Sequence, residues 1–375
     1  MKSKIALVFL LVSAAVTAGA QDRPSFFRSC MDIIDRLADS GRNLDSVYVL
    51  RPALRWDVAL DGTGIRTGAD LYSDITVTDL TESNPQTVSG TLRTGMQKRL
   101  YKKIGAGISY GGLSLSYGVE VDRESPRQNR YFTLGSTGSY YGAQIQYYST
   151  HEYVEGSLDI ENVPPVTLTS LNPCQVRDLT IDAFYAFNRK KFVYSAAYTG
   201  RLVQQRSAGS WMVAAKFLQG DFRLDDIVLS TLLNGLNRYS TLQVQLGGGY
   251  SYNWTVVHRA PEDLRTWKGL RNLTVNATVL PMVSLYHDIH VEQGAGEDLK
   301  RTRYAGQPVF SPTVRCAVGY AWNRYHVNVS ASYNRFSFHG ADTLLEEDGG
   351  YLRTKGRTKG VFYDLTAKVQ VSVRF

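Results

Sequence analysis

Few residue pairs in this sequence have the types and spacing that catalysis requires. His326 and Ser330 are a base and a nucleophile four positions apart, which an enzyme acting on lipid or peptide could use. On a strand, however, residues at i and i+4 lie about 13 Å apart, too far for a direct hydrogen bond. We therefore expect no nucleophile and base pair here, and the sequence favours a protein that is not an enzyme.

Three other motifs contain side chains that can bind a cation or act as an acid. They are His287-Asp288-x-His290, the acidic run Glu346-Glu347-Asp348, and Asp61-Gly62-Thr63-Gly64. The first two fall in predicted loops, where such side chains are more often solvated than bound to a metal. The third superficially resembles an aspartic-protease loop but has no second copy, so it predicts a turn between two strand-like segments. We expect no metal and no cofactor.

The remaining candidates for function are charged residues on the polar faces of predicted strands. If these strands form a barrel, as argued below, the residues on this face point into its lumen. The lumen-facing candidates are Glu120, Asp182, Arg201, Lys216, Arg315, Asp364, Lys368 and Arg374. Their mixed signs favour ion pairs across an enclosed space, since a selective channel more often carries one charge along a wall. Two interpretations of the barrel lumen stay open: it is filled or gated, or it is an open pore.

The elements that must position these charges are strands with one apolar and one polar face. From Val361 to Phe375, apolar residues occupy the odd positions and polar residues the even ones, with Phe362 as the exception. A period of two predicts a strand. About ten tilted residues of this kind suffice to cross a bilayer as part of a barrel.

The same alternation recurs along the chain and predicts the fold. About twelve candidate strands follow, namely Ile104–Tyr110, Leu113–Val121, Tyr131–Gly135, Ser139–Tyr148, Leu179–Asn188, Phe192–Leu202, Trp211–Gln219, Leu242–Trp254, Leu273–Leu285, Val314–Trp322, Tyr325–Tyr333 and Val361–Phe375. Weaker candidates at Val47–Leu60 and Ile65–Tyr72 would raise the count to fourteen. Many of these strands are longer than those of soluble sheets, and several end in aromatic residues that suit a membrane interface. The prediction is an all-β, transmembrane antiparallel barrel.

The connections agree with this prediction in only one half of the chain. If the C-terminus is periplasmic, Asn323-Arg324 is an inner turn and the long segments near the C-terminus are outer loops, as in most barrels. The same count places the long segment His151–Arg177 inside and the tight Gly111-Gly112 turn outside. Either one strand is wrongly assigned or the barrel departs from the rule.

The N-terminus predicts export. Lys2 and Lys4 precede an apolar run and the small residues Ala18-Gly19-Ala20, which is typical of a cleaved signal peptide. We therefore expect a signal peptide over residues 1–20, a periplasmic segment with a short amphipathic helix over 21–45, and a barrel over 46–375. The apolar positions between Phe27 and Ala38 have helical spacing.

The distribution of charge indicates which kinds of partner the protein binds, and the cysteines indicate whether a disulfide can form. The net charge of +8 is scattered among turns and polar strand faces, so we expect no nucleic acid as a partner. Outer-membrane lipids and a small solute fit the prediction better. Cys30, Cys174 and Cys316 form no spaced motif, and pairing of the first two stays open.

The mature chain resembles a family of uncharacterised outer-membrane-like proteins of Bacteroidota, classed as a domain of unknown function (4421). The similarity rests on segments 103–118, 207–211 and 249–254. It implies a barrel and an envelope location and supplies no catalytic or ligand residue. The terminal Val369, Val371, Val373 and Phe375 also resemble the signal read by the barrel assembly machinery, which implies that machinery as a partner during biogenesis.

We therefore expect an integral protein of the outer membrane with a structural role or a role in passing small solutes. The alternatives are a lipid-modifying enzyme of the outer membrane and a soluble exported β-sandwich that binds a partner. Oligomeric state and substrate do not follow from the sequence.

Overall fold

A computed structural model describes much of the chain after its N-terminal part. The described residues are 44–51, 56–79, 86–96, 100–111, 113–121, 130–137, 140–160, 164, 166–170, 172–224, 236–293, 300–305, 308–339, 343–346 and 352–375. The predicted signal peptide, the predicted N-terminal helix and Cys30 lie outside these residues. No helix in the described part is long and apolar enough to cross a membrane.

Within the described residues, twelve antiparallel strands form a closed barrel, which confirms the predicted fold and strand count. They are β1 (Trp56–Asp79), β2 (Leu100–Tyr110), β3 (Leu113–Glu120), β4 (Arg130–Thr137), β5 (Tyr141–Glu152), β6 (Cys174–Ala186), β7 (Ala208–Arg223), β8 (Leu236–Arg259), β9 (Arg271–Leu280), β10 (Thr313–Trp322), β11 (Tyr325–His339) and β12 (Leu352–Arg374). Each pairs with its neighbours in this order, and β12 also pairs with β1. Closure removes the exposed sheet edges that a bilayer would not tolerate.

Two assignments made from sequence are wrong, and they offset each other in the count. Phe192–Leu202 is not a barrel strand, because it belongs to the connection between β6 and β7 and contains the helix Ser195–Tyr198. The first barrel strand is instead β1, which contains residues 56–60 of the weak candidate Val47–Leu60 and all of the weak candidate Ile65–Tyr72. Asp61-Gly62-Thr63-Gly64 is therefore no turn; Asp61 and Thr63 point inward and are buried in the middle of β1.

The revised assignment removes the conflict over the connections. The turn at Gly111 and the segment 187–207 now lie at the same end of the barrel as Phe375, and the described residues between β5 and β6 lie at the opposite end. We call the end with Phe375 the base and the other end the rim. At the base, the backbone of Phe375 exchanges two hydrogen bonds with that of Trp56, of 3.1 and 3.2 Å.

The two faces of the wall differ in chemistry. Outward positions carry exposed apolar residues, including Leu60, Ile104, Val213, Leu246, Val318, Leu365 and Val369. Inward positions of the same strands carry buried polar residues, including Asp61, Lys216, Gln243, Gln245, Asn276 and Asn328. Aromatic pairs such as Trp211 and Tyr250 are also outward, with ring centres 5.2 Å apart. An apolar exterior around a polar interior is the inverse of a soluble barrel.

Further strands extend the wall at the rim. Gln86–Met96 pairs with β1 above the end of β2, and Val154–Ile160 and Val166–Thr169 continue that sheet. Met282–Gln293 pairs with the upper half of β8 and with Lys300–Ala305, while Thr343–Glu346 pairs with β12. The predicted strand Leu273–Leu285 is thus two elements divided at Pro281, which has no N–H to donate.

Candidate functional site: a lumen chamber above an inserted base segment

The connection 187–207, here called the base segment, folds into the lumen. Phe192 and Val193 are fully buried, and Ser195, Ala196 and Ala197 are almost so. An apolar cluster joins the segment to inward residues of the wall and comprises Ala186, Phe192, Tyr194, Ala208, Met212, Ala214, Leu280 and Met282. The segment therefore occupies the lumen at the base.

Asparagine side chains of the wall bind the backbone of the base segment. Asn253 donates from Nδ2 to the carbonyl of Val193 at 2.7 Å. Asn328 donates to the carbonyls of Ala197 and Tyr198 at 3.1 and 2.7 Å. The two asparagines lie on β8 and β11, so the inserted backbone is held from two sides of the barrel.

The side chain of Gln204 connects the two ends of the base segment where the segment rejoins the wall. Its Nε2 donates to the carbonyls of Lys191 and Arg206 at 2.6 and 2.8 Å. Its Oε1 accepts from the backbone N–H of Val193 at 3.1 Å and from Asn253 at 3.2 Å. One buried amide thus satisfies backbone groups from both ends of the loop.

The chain that precedes the barrel is joined to the same segment. Val49–Leu50 pairs antiparallel with Val203–Gln204, and the N–H of Gln205 donates to the carbonyl of Tyr48 at 2.7 Å. Val49 is buried against Val193 and Ala196. Residues 44–51 and the base segment therefore form one unit at the base.

Above the base segment the lumen contains a chamber of about 400 Å³. Lys216 is central in its lining, with Nζ donating to Asn334 Oδ1 at 2.9 Å and to Thr313 Oγ1 at 3.1 Å. The carboxylate of Asp182 lies 3.5 Å from Lys216 Nζ and 3.4 Å from an Nη of Arg315. One carboxylate is thus shared by two cations.

A second set of charges lies across the chamber. Lys368 Nζ is 3.6 Å from Asp61 Oδ1, and Thr63 donates to the other oxygen of Asp61 at 2.8 Å. Asp178 accepts hydrogen bonds from Tyr148 at 3.1 Å and Thr180 at 2.9 Å. The lining therefore offers charges of both signs, fixed by neighbouring hydroxyl groups.

The structure places the predicted lumen residues in three different settings. Those that line the chamber are Asp182, Arg201, Lys216, Arg315, Asp364 and Lys368. Arg201 reaches it from the base segment rather than from a strand. Glu120 lies on the inward face of β3, and Arg374 is buried at the base, with its guanidinium 4.8 Å from the ring centre of Trp267.

Sequence reasoning missed several of the groups that build this site. Asp61, Asp178, Asn253 and Asn328 are not among the predicted lumen-facing residues, although all lie on the polar faces of strands. The period of two would have placed them inward. No local signal reports that the partner of Asn328 is a backbone carbonyl from a loop far away in the chain.

Two buried histidines lie beside residues with hydroxyl groups inside the barrel. His326 is paired across the strands with Ser372 and both are buried. Neither His326 ring nitrogen has a hydrogen-bond partner among the described residues. Near the rim, the Oγ of Thr241 lies 3.0 Å from Nε2 of His287, but the Gln243 amide contacts the same nitrogen. These contacts position a histidine without presenting an accessible nucleophile.

Among the described residues, the possible cation sites bring together two ligands at most, Asp288 and His290, with His290 Nε2 3.1 Å from the carboxylate. His287 points inward with Gln243, whereas His290 shares the outward face with Ser240. Glu346 ends the strand Thr343–Glu346, and the two acidic residues after it lie outside the described residues. In the part of the chain that the structure describes, no three His, Cys, Asp or Glu residues are close enough to hold a metal.

The last strand has the predicted phase. Val369, Val371, Val373 and Phe375 are exposed on the outward face, and Ser372 and Arg374 are buried on the inward face. Cys316 is likewise exposed, and Cys174 is buried at the start of β6. The residues predicted to form the assembly signal therefore share the apolar exterior.

A closed antiparallel sheet with an apolar exterior and a charged lumen defines a membrane β-barrel of the outer-membrane type. The chain belongs to the family described as Domain of unknown function (DUF4421), whose family model matches residues 76–350. This confirms the family indicated by the sequence. No curated protein matches the chain.

Several solved outer-membrane proteins are similar to the chain at low identity. The outer membrane protease OmpT from Escherichia coli is 8% identical, covering 85% of this chain and 97% of its own, with a TM-score of 0.35. The β-domain of the Bordetella autotransporter BrkA is 11% identical, covering 83% and 99%, with a TM-score of 0.25. The toluene transporter TodX of Pseudomonas putida is 7% identical, covering 84% and 90%, with a TM-score of 0.18.

Proposed function

We propose that this protein is a gated barrel of the outer membrane that takes small polar solutes into its lumen and passes them when the base segment moves. The observation that carries the proposal is a charged chamber directly above a loop that is inserted into the lumen. The proposed role is passage without catalysis, with membrane lipids and the barrel assembly machinery as partners and no nucleic acid.

The chamber has the size and chemistry of a solute site. A volume of about 400 Å³ lies within the range of ligand pockets, about 300–1,000 Å³. The Asp182 group and the Asp61–Lys368 pair present cations and carboxylates on different walls. Such a lining favours a small molecule that itself carries both charges, such as a zwitterion, because each end can replace part of an existing ion pair.

The contacts of the base segment are compatible with movement. Asn253 and Asn328 contribute three hydrogen bonds to its backbone, and each such bond contributes about 0.5–1.5 kcal/mol net. Their sum is of the order of the free-energy differences that separate two states of one protein, a few kcal/mol. The apolar cluster around Phe192 and Met212 opposes movement, so the closed state should dominate.

Conductance in planar bilayers tests this proposal. We expect the wild-type protein to show rare, brief openings, and the Asn253→Ala/Asn328→Ala variant to be open for a larger fraction of the time, by about tenfold or more. Asn188→Ala is the matched control, because its amide donates to Gly209 at the edge of β7 instead of holding the inserted part.

The opposite result would point to a structural role. If the double variant is correctly folded and remains as closed as wild type, then the base segment is a permanent filling of the lumen. A wild-type protein that conducts continuously would also contradict the gate, since it would show that ions bypass the inserted segment.

A further inference from the structure

The outer surface of the barrel changes from apolar to charged near the rim, along β7 and β8. Leu246 and Leu285 are exposed and apolar. Beyond the next outward row, which contains Phe217, Val244 and Tyr286, the outward positions toward the rim become ionic. We call this charged surface the rim collar; it consists of Asp221, Arg223, Arg238, Asp288, His290, Glu292, Arg301 and Arg303. The register places Arg223, Arg238, Glu292 and Arg301 side by side across four strands.

The carboxylates of the collar bind the arginines in a repeated way. Arg303 Nε donates to Asp288 at 2.8 Å, Arg238 Nε to Asp221 at 2.6 Å, and Arg301 Nε lies 3.2 Å from Glu292. The hydrogen bond from Arg303 holds the pKa of Asp288 below its ordinary value, so this carboxylate stays ionised. Each of these three guanidinium groups is thus oriented by a carboxylate at its own Nε atom.

This arrangement leaves a phosphate-binding edge on the outside. A carboxylate at Nε leaves the Nη groups to bind the oxygens of one phosphate as a fork. In Arg303, Nη2 also donates to the Tyr286 hydroxyl at 3.4 Å, a long contact that a phosphate oxygen can replace. The side chains of Arg301 and Arg303 are 73% and 65% exposed. The collar also contains four arginines and a histidine against three carboxylates, so the surface has excess positive charge.

We propose that the rim collar binds the phosphate groups of lipids in the leaflet that surrounds the rim. Position selects lipid over a free anion, because the collar faces outward immediately beyond the apolar surface, at the depth where headgroups lie. The base is the predicted periplasmic end, so the lipids concerned are those of the outer leaflet. The inference does not depend on passage through the lumen.

The test measures lipid binding to the purified, folded full chain in neutral detergent. The probes are bisphosphorylated lipid A and the same lipid with its phosphates removed. The readouts are the affinity for each lipid and the unfolding temperature of the barrel, measured from the gel mobility of samples heated to increasing temperatures. We expect the phosphorylated lipid to raise that temperature, and Arg301→Gln/Arg303→Gln to weaken its binding by about 30-fold. Arg259→Gln, an exposed arginine paired with Glu262 at the base, is the matched control and should bind as wild type.

Each other outcome overturns the inference. Equal binding of the dephosphorylated lipid would show that acyl chains alone are recognised. Equal binding by the double variant would show that the collar is not the site, and a similar response to inorganic phosphate would show a free-anion site. Should the glutamine variant fail to fold, Arg301→Lys/Arg303→Lys keeps the charge without the fork and must still bind more weakly than wild type.

Discussion

The guanidinium of Arg374 stacks on the indole of Trp267, with 4.8 Å between its central carbon and the ring centre. Trp267 lies in the connection between β8 and β9 with a φ of 62°, and its side chain is fully buried. Arg374 is the last residue but one and belongs to β12. The strand that closes the barrel is therefore attached at the base to the loop that connects β8 and β9.

The first prediction concerns Trp267. Trp267→Ala removes the largest buried side chain at the base and should lower the free energy of unfolding by about 3–5 kcal/mol. Urea unfolding followed by tryptophan fluorescence and gel mobility measures this loss. Trp211→Ala, which changes an exposed tryptophan of the outward face, is the control and should cost much less. An equal loss in both variants would contradict a special role for the stacked pair.

Arg374 itself should be replaceable, which is the second prediction. None of its three guanidinium nitrogens has a hydrogen-bond partner among the described residues. The charge of Asp57 acts on Arg374, so the test removes both charges. Arg374→Met/Asp57→Asn keeps apolar contact with Trp267, and the free energy of unfolding should stay within about 1 kcal/mol of wild type. A loss of 3 kcal/mol or more, measured by the same urea series, would show that these charges are needed at this position.

The third prediction uses one methyl group to displace the base segment. A Cβ added at Gly319 would lie 2.5 Å from the carbonyl oxygen of Ala197 and 2.9 Å from Nε2 of His326. Because a backbone oxygen cannot rotate away, Gly319→Ala should push the segment from the lumen and raise the open fraction in bilayers. Gly248→Ala is the control: its Cβ would lie 3.4 Å from the carbonyl oxygen of Met212, an ordinary contact, so this variant should behave as wild type. A folded Gly319→Ala barrel that stays closed would rule out this route of opening.

Much of the wall could be predicted because its signal is local. The alternation that ends at Phe375 places Val369 and Val371 outward and Arg374 inward, and the structure has the same phase. Each side chain meets either lipid or lumen, so two environments are enough to write the pattern. The number of such segments agrees with the strand number only because the false strand Phe192–Leu202 offsets the omitted β1.

The base segment could not be predicted by the same rule. Phe192, Val193 and Ala197 are all buried because the segment lies inside the lumen, where neither side faces lipid. Its apolar residues therefore mimic a strand without forming one. β1 failed for the opposite reason: Gly62 and Gly64 occupy its outward face, and glycine gives no apolar signal. The anchoring role of Asn328 depends on a partner that only the folded topology supplies.

The fourth prediction tests the charges of the chamber. Lys216→Met removes a cation while Asp182 retains Arg315 at 3.4 Å, so the wall should hold its shape. In the open state of the Asn253→Ala/Asn328→Ala background, the reversal potential in a potassium chloride gradient should shift toward cation selectivity. Lys190→Met, which removes an exposed lysine at the base outside the chamber, supplies the control. An unchanged potential would show that ions do not pass Lys216.

The final prediction separates two roles of Phe375. Its backbone forms the last reciprocal hydrogen bonds between β1 and β12, with Trp56, while its exposed ring is part of the predicted assembly signal. Phe375→Ala keeps the backbone bonds, so the protein refolded in detergent should match wild type in thermal stability but reach the outer membrane less in cells. Deletion of Phe375 removes both and should also lower the unfolding temperature in detergent. If Phe375→Ala inserts normally in cells, the ring is not the signal; if it is as unstable in detergent as the deletion, the ring itself supports closure.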